Sequence, residues 1–302
     1  MMTEGDPSLE YNLTVHKDLE SSLNCRPKAV FITNPPDLHI ATAIEAARKG
    51  CNIFIEKPLS NSLENVDQLI NIVNNNNLIC RVGQQFRFHP FTSLIKDYID
   101  NNIIGEISSA EFIFKEYLPG MHPYEDYKQS HVSHKKRGGG VILNLNHYID
   151  IVYYFFGFPD EIVCFGGTNG NLNIDVEDTA TIIFNYKKNN GRLNTVTILI
   201  DFIKRPKQMD WTITADNGSI YADFTTNTLC LNDYNNNKIN QVSSLKNFPR
   251  NDLFINEQKE FFNLINANSK NNKLPDLSES KKIIGLLIKI VESMESKKII
   301  SF

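Results

Sequence analysis

The chain has little of what marks a secreted scaffold, a metal protein, a membrane protein or a nucleic-acid binder. Its cysteines, Cys25, Cys51, Cys80, Cys164 and Cys230, are odd in number, widely scattered and form no Cys-x-x-Cys pair, which argues against a disulfide framework and a zinc site. They read as reduced, mostly buried thiols, and the expected compartment is the cytoplasm. No uncharged apolar run approaches the length of a membrane-spanning helix, and residues 1–7 lack the basic flank and apolar core of an export signal. Lysine and arginine number 31 against 35 aspartates and glutamates, a formal charge of −4 with no basic stripe. A nucleic-acid surface has no footprint here, and the expected partner is a small molecule.

What is present divides in two. With 302 residues and 41% hydrophobic content, the chain has material for two compact domains with their own cores. Residues 11–24 give a brief extended piece and a short helix opened by Asp18 as N-cap. Apolar runs over 29–32, 52–55 and 78–82 are short, β-rich and set among Gly, Pro and Asn, so they read as buried strands. Between them the spacing predicts helices over 38–49 and over 62–76, the second with Leu63, Val66, Leu69, Ile70 and Val73 on one face. This alternation implies a parallel sheet with right-handed crossovers.

After a helix over 91–100, the pattern changes to long β-rich runs over 108–115, 161–165, 179–186, 192–202, 209–215, 219–224 and 228–231. Asn and Gly turns such as Asn235-Asn236-Asn237 separate them, as in a large, mainly antiparallel open sheet. Two amphipathic helices, over 254–266 and 278–296, are expected to cover one face of that sheet. The fold class is therefore α/β plus α+β, with a parallel-sheet domain over 1–88 and a second domain over 89–302.

Glu56-Lys57-Pro58 ends an apolar strand at the edge where open parallel sheets take their ligands, so Lys57 is aimed into a crevice. A plain strand-end ion pair is the competing reading. Preceded by Phe31-Ile32-Thr33-Asn34-Pro35-Pro36-Asp37-Leu38-His39 and followed by Val82-Gly83-Gln84-Gln85-Phe86-Arg87-Phe88-His89-Pro90, the motif resembles the Gfo/Idh/MocA oxidoreductase family. The likeness continues through Gly138-Gly139-Gly140 to Asn144, His147 and Asp150, then through Val176-Glu177-Asp178-Thr179-Ala180 and Ala215-Asp216-Asn217-Gly218-Ser219-Ile220, and so covers nearly the whole chain.

The resemblance implies a dinucleotide-binding Rossmann domain, NAD or NADP as cofactor, and hydride transfer at a hydroxyl or keto carbon of a sugar or nucleotide-sugar. It places Thr33, Asn34, Pro35, His39, Glu56, Lys57, Pro58 and Gln84 at the cofactor. Lys57, Asn144 and His147 fall at the chemistry, and Arg87, Tyr124, His147 and Asp150 at the substrate. It also implies a cis Lys57-Pro58 bond and a homo-oligomer built through the second domain's sheet. Read without the resemblance, His147 in its apolar run is a satisfied core histidine. The loop 119–127 with His131 and His134 shows no ligating trio, so no metal is expected.

Two departures stand against the family pattern. A dinucleotide-binding domain opens with a strand, a Gly-x-Gly-x-x-Gly turn that cradles the pyrophosphate, and a helix; none of these occurs before Asp18. The expectation is an N-terminally shortened, incomplete Rossmann sheet in which the strand over 29–32 presents an apolar edge. Asn144 stands where the family motif has Asp, and an amide donates and accepts hydrogen bonds but takes no proton. Two readings stay open: an NAD(P)-dependent sugar oxidoreductase, or a non-catalytic relative that keeps a sugar-binding or oligomerising sheet domain.

Overall fold

The three short apolar runs of the first part are too short to be helices and too apolar to stay in water, and they pair with one another. The computed structural model describes residues 7–187, 193–235, 238–245, 248–267 and 273–302. Helices α1 (Pro7–Glu10) and α2 (Leu19–Leu23) come first; the Asp18 carboxylate caps α2 by accepting the Ser21 N–H at 2.7 Å. Then follow β1 (Ala29–Ile32), α3 (His39–Arg48), β2 (Asn52–Ile55), α4 (Val66–Asn75) and β3 (Cys80–Val82). The strands lie in the order β1-β2-β3, parallel throughout. Among the described residues β1 has a partner on one side only, and Phe31 on it is 37% exposed, the apolar edge that the sequence implies.

Helix α5 (Pro90–Asp100) leads to the second part, which contains β4 (Ile107–Lys115), α6 (Leu118–Met121), α7 (Val141–Asn144), α8 (Asn146–Phe156) and β5 (Glu161–Gly167). Strands β6 (Thr179–Lys187), β7 (Leu193–Asp201), β8 (Gln208–Ala215), β9 (Gly218–Asp223), β10 (Thr228–Asp233) and β11 (Lys238–Ser244) follow, then helices α9 (Asn251–Ile265) and α10 (Leu277–Ser296) and the short β12 (Ile300–Ser301). Nine strands form one sheet in the order β11-β10-β9-β8-β4-β7-β6-β5-β12. Its pairs are antiparallel except β4 with β7, since the returning strand enters beside the first one from the same end.

Four expectations change. Helix α4 starts at Val66 rather than residue 62, because Asn65 adopts a left-handed conformation at φ 58°, and Leu63 is left outside the helix and exposed. Strands β11 and β12 have no counterpart in the sequence reading. Of the two closing helices, α10 backs the large sheet, where the Ser293 hydroxyl accepts the Cys164 N–H at 3.0 Å. Helix α9 instead packs on the small sheet, its Phe261 ring 5.5 Å from Phe54 and 5.4 Å from Phe31, because those rings leave an apolar face that α10 does not reach. Met1 through Asp6, the expected strand start at Arg192 and the Asn236-Asn237 turn lie outside the described residues. No helix among the described residues is long and apolar enough to cross a membrane.

The two parts are joined by one buried cation. Arg87, just past β3, is 2% exposed and gives two parallel bonds to Asp150 of α8, Nε to Oδ2 at 2.9 Å and Nη2 to Oδ1 at 2.7 Å. Its Nη2 also meets Glu279 of α10 at 2.8 Å, its Nη1 bonds the Lys273 carbonyl at 3.1 Å, and its guanidinium lies 4.8 Å from the Tyr154 ring centre. Burial pushes the Asp150 pKa up and Arg87 opposes it. Asp150→Ala leaves the guanidinium buried against half-exposed Glu279, at an expected cost of about 3–5 kcal/mol. Equilibrium urea unfolding measures it, and the double variant Arg87→Met, Asp150→Leu is expected to recover most of the loss, since it buries no charge.

Candidate functional site

A cavity of about 400 Å³ opens at the C-terminal ends of β2 and β3, between the small sheet, the α7–α8 segment and the near end of the large sheet. Its floor is set by Glu56 and Lys57, which leave β2 before the cis Lys57-Pro58 bond. The Lys57 ammonium donates to the Asn144 backbone carbonyl at 2.8 Å, so the end of the small sheet is tied directly to α7. Burial lowers the Lys57 pKa; Glu56 opposes that shift and Arg250 adds to it.

His147 stands across from Lys57 in the first turn of α8. It is 7% exposed, with its ring stacked on Phe86 at 4.9 Å between centres and 6° between planes. Its Nδ1 is buried and has no hydrogen-bond partner among the described residues. Burial lowers its pKa well below the ordinary histidine value, and Lys57, Arg250 and Lys207 lower it further, so the imidazole is neutral at neutral pH. A neutral ring that lines a cavity and whose buried Nδ1 has no partner among the described residues is not a satisfied core histidine.

The glycines before α7 have a steric reason. Gly140 has φ 103°, and a Cβ there would lie 2.2 Å from Glu177 Oε1. That carboxylate accepts the Ile142 N–H at 3.0 Å, while the Glu177 carbonyl accepts the Val141 N–H at 3.0 Å. Glu177 therefore fixes the start of the segment that carries Asn144 and His147, and burial pushes its pKa up to about 7.

The remaining residues singled out in the sequence sort by place. Asn144 and His147 line the cavity with Glu56 and Lys57. Gln84 sits behind them, 2% exposed, its Nε2 on Asn146 Oδ1 at 3.3 Å and its Oε1 unpartnered among the described residues. Thr33 is exposed at the end of β1, with half-buried Asn34 and Pro35 beside it. His39 is fully buried; its ring nitrogens meet the Pro58 carbonyl at 2.9 Å and the Asn34 carbonyl at 2.6 Å, so it clamps two turns together rather than facing a ligand.

Arg87 and Asp150, expected at the substrate, neutralise each other behind the cavity wall and do not line it. Tyr124 is exposed, its hydroxyl 2.8 Å from Nδ1 of His122, and it is His122 that lines the cavity. His89 also lines it; its Nδ1 accepts the Phe91 N–H at 3.1 Å and caps α5, and burial brings its pKa down to about 4.

Sequence reasoning missed Phe86, Glu116, Lys207, Arg250 and Glu257. The first four come together only through tertiary packing. Glu257 carried a readable signal, since it falls four residues from both Leu253 and Phe261 on the buried face of α9. It is 1% exposed, bonds the Gln84 backbone N–H, and leaves Oε2 unpartnered among the described residues. Burial, with Glu56 nearby, pushes its pKa up to about 9.

Residues 92–221 match the GFO/IDH/MocA C-terminal domain, and residues 8–84 match the oxidoreductase family with an NAD-binding Rossmann fold. The chain is 26% identical to an oxidoreductase of Formosa agariphila over 67% of this chain and 61% of that protein. It is 33% identical to the scyllo-inositol 2-dehydrogenase (NAD(+)) of Bacillus subtilis over 48% of this chain and 39% of that protein. The chain thus spans less than two thirds of the length of these curated relatives. Levoglucosan dehydrogenase, solved with NADH and levoglucosan, superposes with a TM-score of 0.81 at 19% identity, over 97% of this chain and 85% of the other. The WlbA dehydrogenase of Bordetella pertussis, solved with NADH and UDP-GlcNAcA, gives 0.79 at 17% identity, over 98% and 86%. At these identities the superpositions establish the fold.

Glu257 gives the site a pH signature. The unfolded side chain ionises near 4.5 and the folded one near 9, so between those values the folded chain holds a proton that the unfolded chain has released. The contribution to stability is intact below about 4.5 and is lost as pH rises toward about 9. Glu257→Gln, which matches the protonated acid in shape, is expected to flatten that decline. Urea midpoints for both proteins across this pH range check it, and parallel curves would show that Glu257 is ionised in the fold.

Proposed function

We propose that this chain, which belongs to the GFO/IDH/MocA family of oxidoreductases, takes a sugar or nucleotide-sugar into the cavity and exchanges hydride between one of its carbons and a nicotinamide dinucleotide. One observation carries the reading: Lys57 and a His147 that burial keeps neutral line the same cavity at the ligand-binding edge of a parallel sheet.

The residues present fit the nicotinamide end of such a cofactor. Asn34 Oδ1 and Gln84 Oε1 are buried acceptors without partners among the described residues, suited to the N–H groups of a carboxamide and the hydroxyls of a ribose. Thr33, Asn34, Pro35, Glu56, Lys57, Pro58 and Gln84 would hold that end. A Gly-x-Gly-x-x-Gly turn for the pyrophosphate is not found among the described residues. When bound, the dinucleotide supplies the hydride chemistry, and the protein supplies position and proton handling.

Lys57 is held by Asn144 rather than free to sample solvent, and burial lowers its pKa. His147, neutral and stacked on Phe86, accepts a hydrogen bond from a sugar hydroxyl without bringing charge into the cavity. His39 keeps the Asn34 and Pro58 turns in one arrangement, which fixes the ends of β1 and β2 relative to each other.

Titration with NADH and NADPH, followed by nicotinamide fluorescence, is expected to show saturable micromolar binding. Lys57→Met is expected to keep that binding while lowering turnover by about 10²–10⁴-fold. Absence of any saturable signal removes the reading. Asn144 favours a second reading, a non-catalytic relative, because an amide cannot stabilise a charged imidazole. Asn144→Asp should raise turnover if the site is catalytic; sugar binding with no turnover in either form supports the second reading.

A further inference from the structure

The charge of the cavity runs against the charge of the chain. The protein is formally −4, yet the cavity is lined by three basic side chains, Lys57, Lys207 and Arg250, against the two carboxylates Glu56 and Glu116. A cleft whose basic side chains outnumber its carboxylates favours an anion among the molecules that enter.

The three cations are not equally engaged. Lys57 bonds the Asn144 carbonyl and lies beside Glu56. Lys207, in the turn before β8, pairs with Glu116 at 2.9 Å and lies 5.1 Å from the Phe114 ring centre. Arg250 has no carboxylate within ion-pair distance among the described residues; its guanidinium lies 6.0 Å from the Phe254 ring centre. It also stands at the N-cap of the 15-residue α9, where the positive end of the helix dipole disfavours a cation and favours an anion beside it. Arg250 and Lys207 both belong to the second part of the chain and line the cavity together with Glu56 and Lys57 at the end of β2. Their fields nonetheless reach His147, whose pKa both of them lower.

We propose that the substrate carries an anionic substituent, a carboxylate or a phosphate, seated between Arg250 and Lys207 while the rest of the sugar faces Lys57 and His147. The planar guanidinium gives such a group two parallel charge-assisted bonds, and Lys207, lining the same cavity, supplies a second positive centre. Phe248 and Phe254 flank the subsite and exclude water from one side of the pair. The identity of the reacting carbon rests on the oxidoreductase reading above; the anion subsite does not.

The test is calorimetric titration of the chain with D-glucuronate, D-glucose 6-phosphate and D-glucose at low and high salt, beside NADH titration of the same preparation. At least one anionic sugar is expected to bind about tenfold or more tighter than glucose. The advantage should shrink as salt rises and collapse in Arg250→Gln, an exposed position whose substitution leaves the core intact. The tighter of the two anions identifies the substituent. Equal binding of all three sugars, no binding of any, or an anion preference that survives both Arg250→Gln and Lys207→Gln overturns the proposal. NADH binding without anion preference defeats the subsite and leaves the oxidoreductase reading standing. Anion preference without NADH binding does the reverse.

Discussion

The structure depends on the bidentate pair between Arg87 and Asp150. Asp150 lies three residues beyond His147 on α8, so the pair that pins one pins the rotation of the other. The same guanidinium holds Glu279 of α10 and the Lys273 carbonyl, which brings the end of β3, the histidine helix and the closing helix to a single point. Buried pairs of this kind add little net stability over apolar packing, because desolvation offsets the attraction. What the pair contributes here is register: it helps fix which face of α8 looks at Lys57, together with the Gln84–Asn146 bond and the stacking of His147 on Phe86.

Around that anchor the cavity groups titrate in one direction. Burial lowers Lys57 and His147 and raises Glu257, and in each case it favours the uncharged form. Glu177 follows the same rule one layer back. Titratable groups that lean toward neutrality when buried are a recurrent mark of functional sites. Against that background the unpartnered charge of Arg250 stands out.

Fold and family reach only part of the way to function. Superpositions at 17% and 19% identity establish an architecture that different chemistries share. The case for chemistry in this chain rests on its own atoms: the buried, unpartnered Nδ1 of His147, the Lys57–Asn144 bond and the orphaned acceptors of Asn34 and Gln84. Asn144 is the residue on which a catalytic and a binding role divide.

Local chemistry determined much from the sequence alone. Short β-rich runs between helical repeats fixed the parallel sheet, alternation fixed the strands of the large one, and Asp18 capped its helix, because each depends on neighbours within a few residues. Glu56-Lys57-Pro58 pointed to the cavity from its place at a strand end, whereas Gly140-x-x-x-Asn144-x-x-His147 did so only through the family resemblance. The tertiary structure decided the rest: that α9 lies on the small sheet, that Arg87 and Asp150 neutralise each other behind the cavity wall, that His39 clamps turns, and that Glu116, Lys207 and Arg250 gather around one space. Those outcomes depend on which charges and apolar faces meet across more than a hundred residues, and no periodicity within a segment records that meeting.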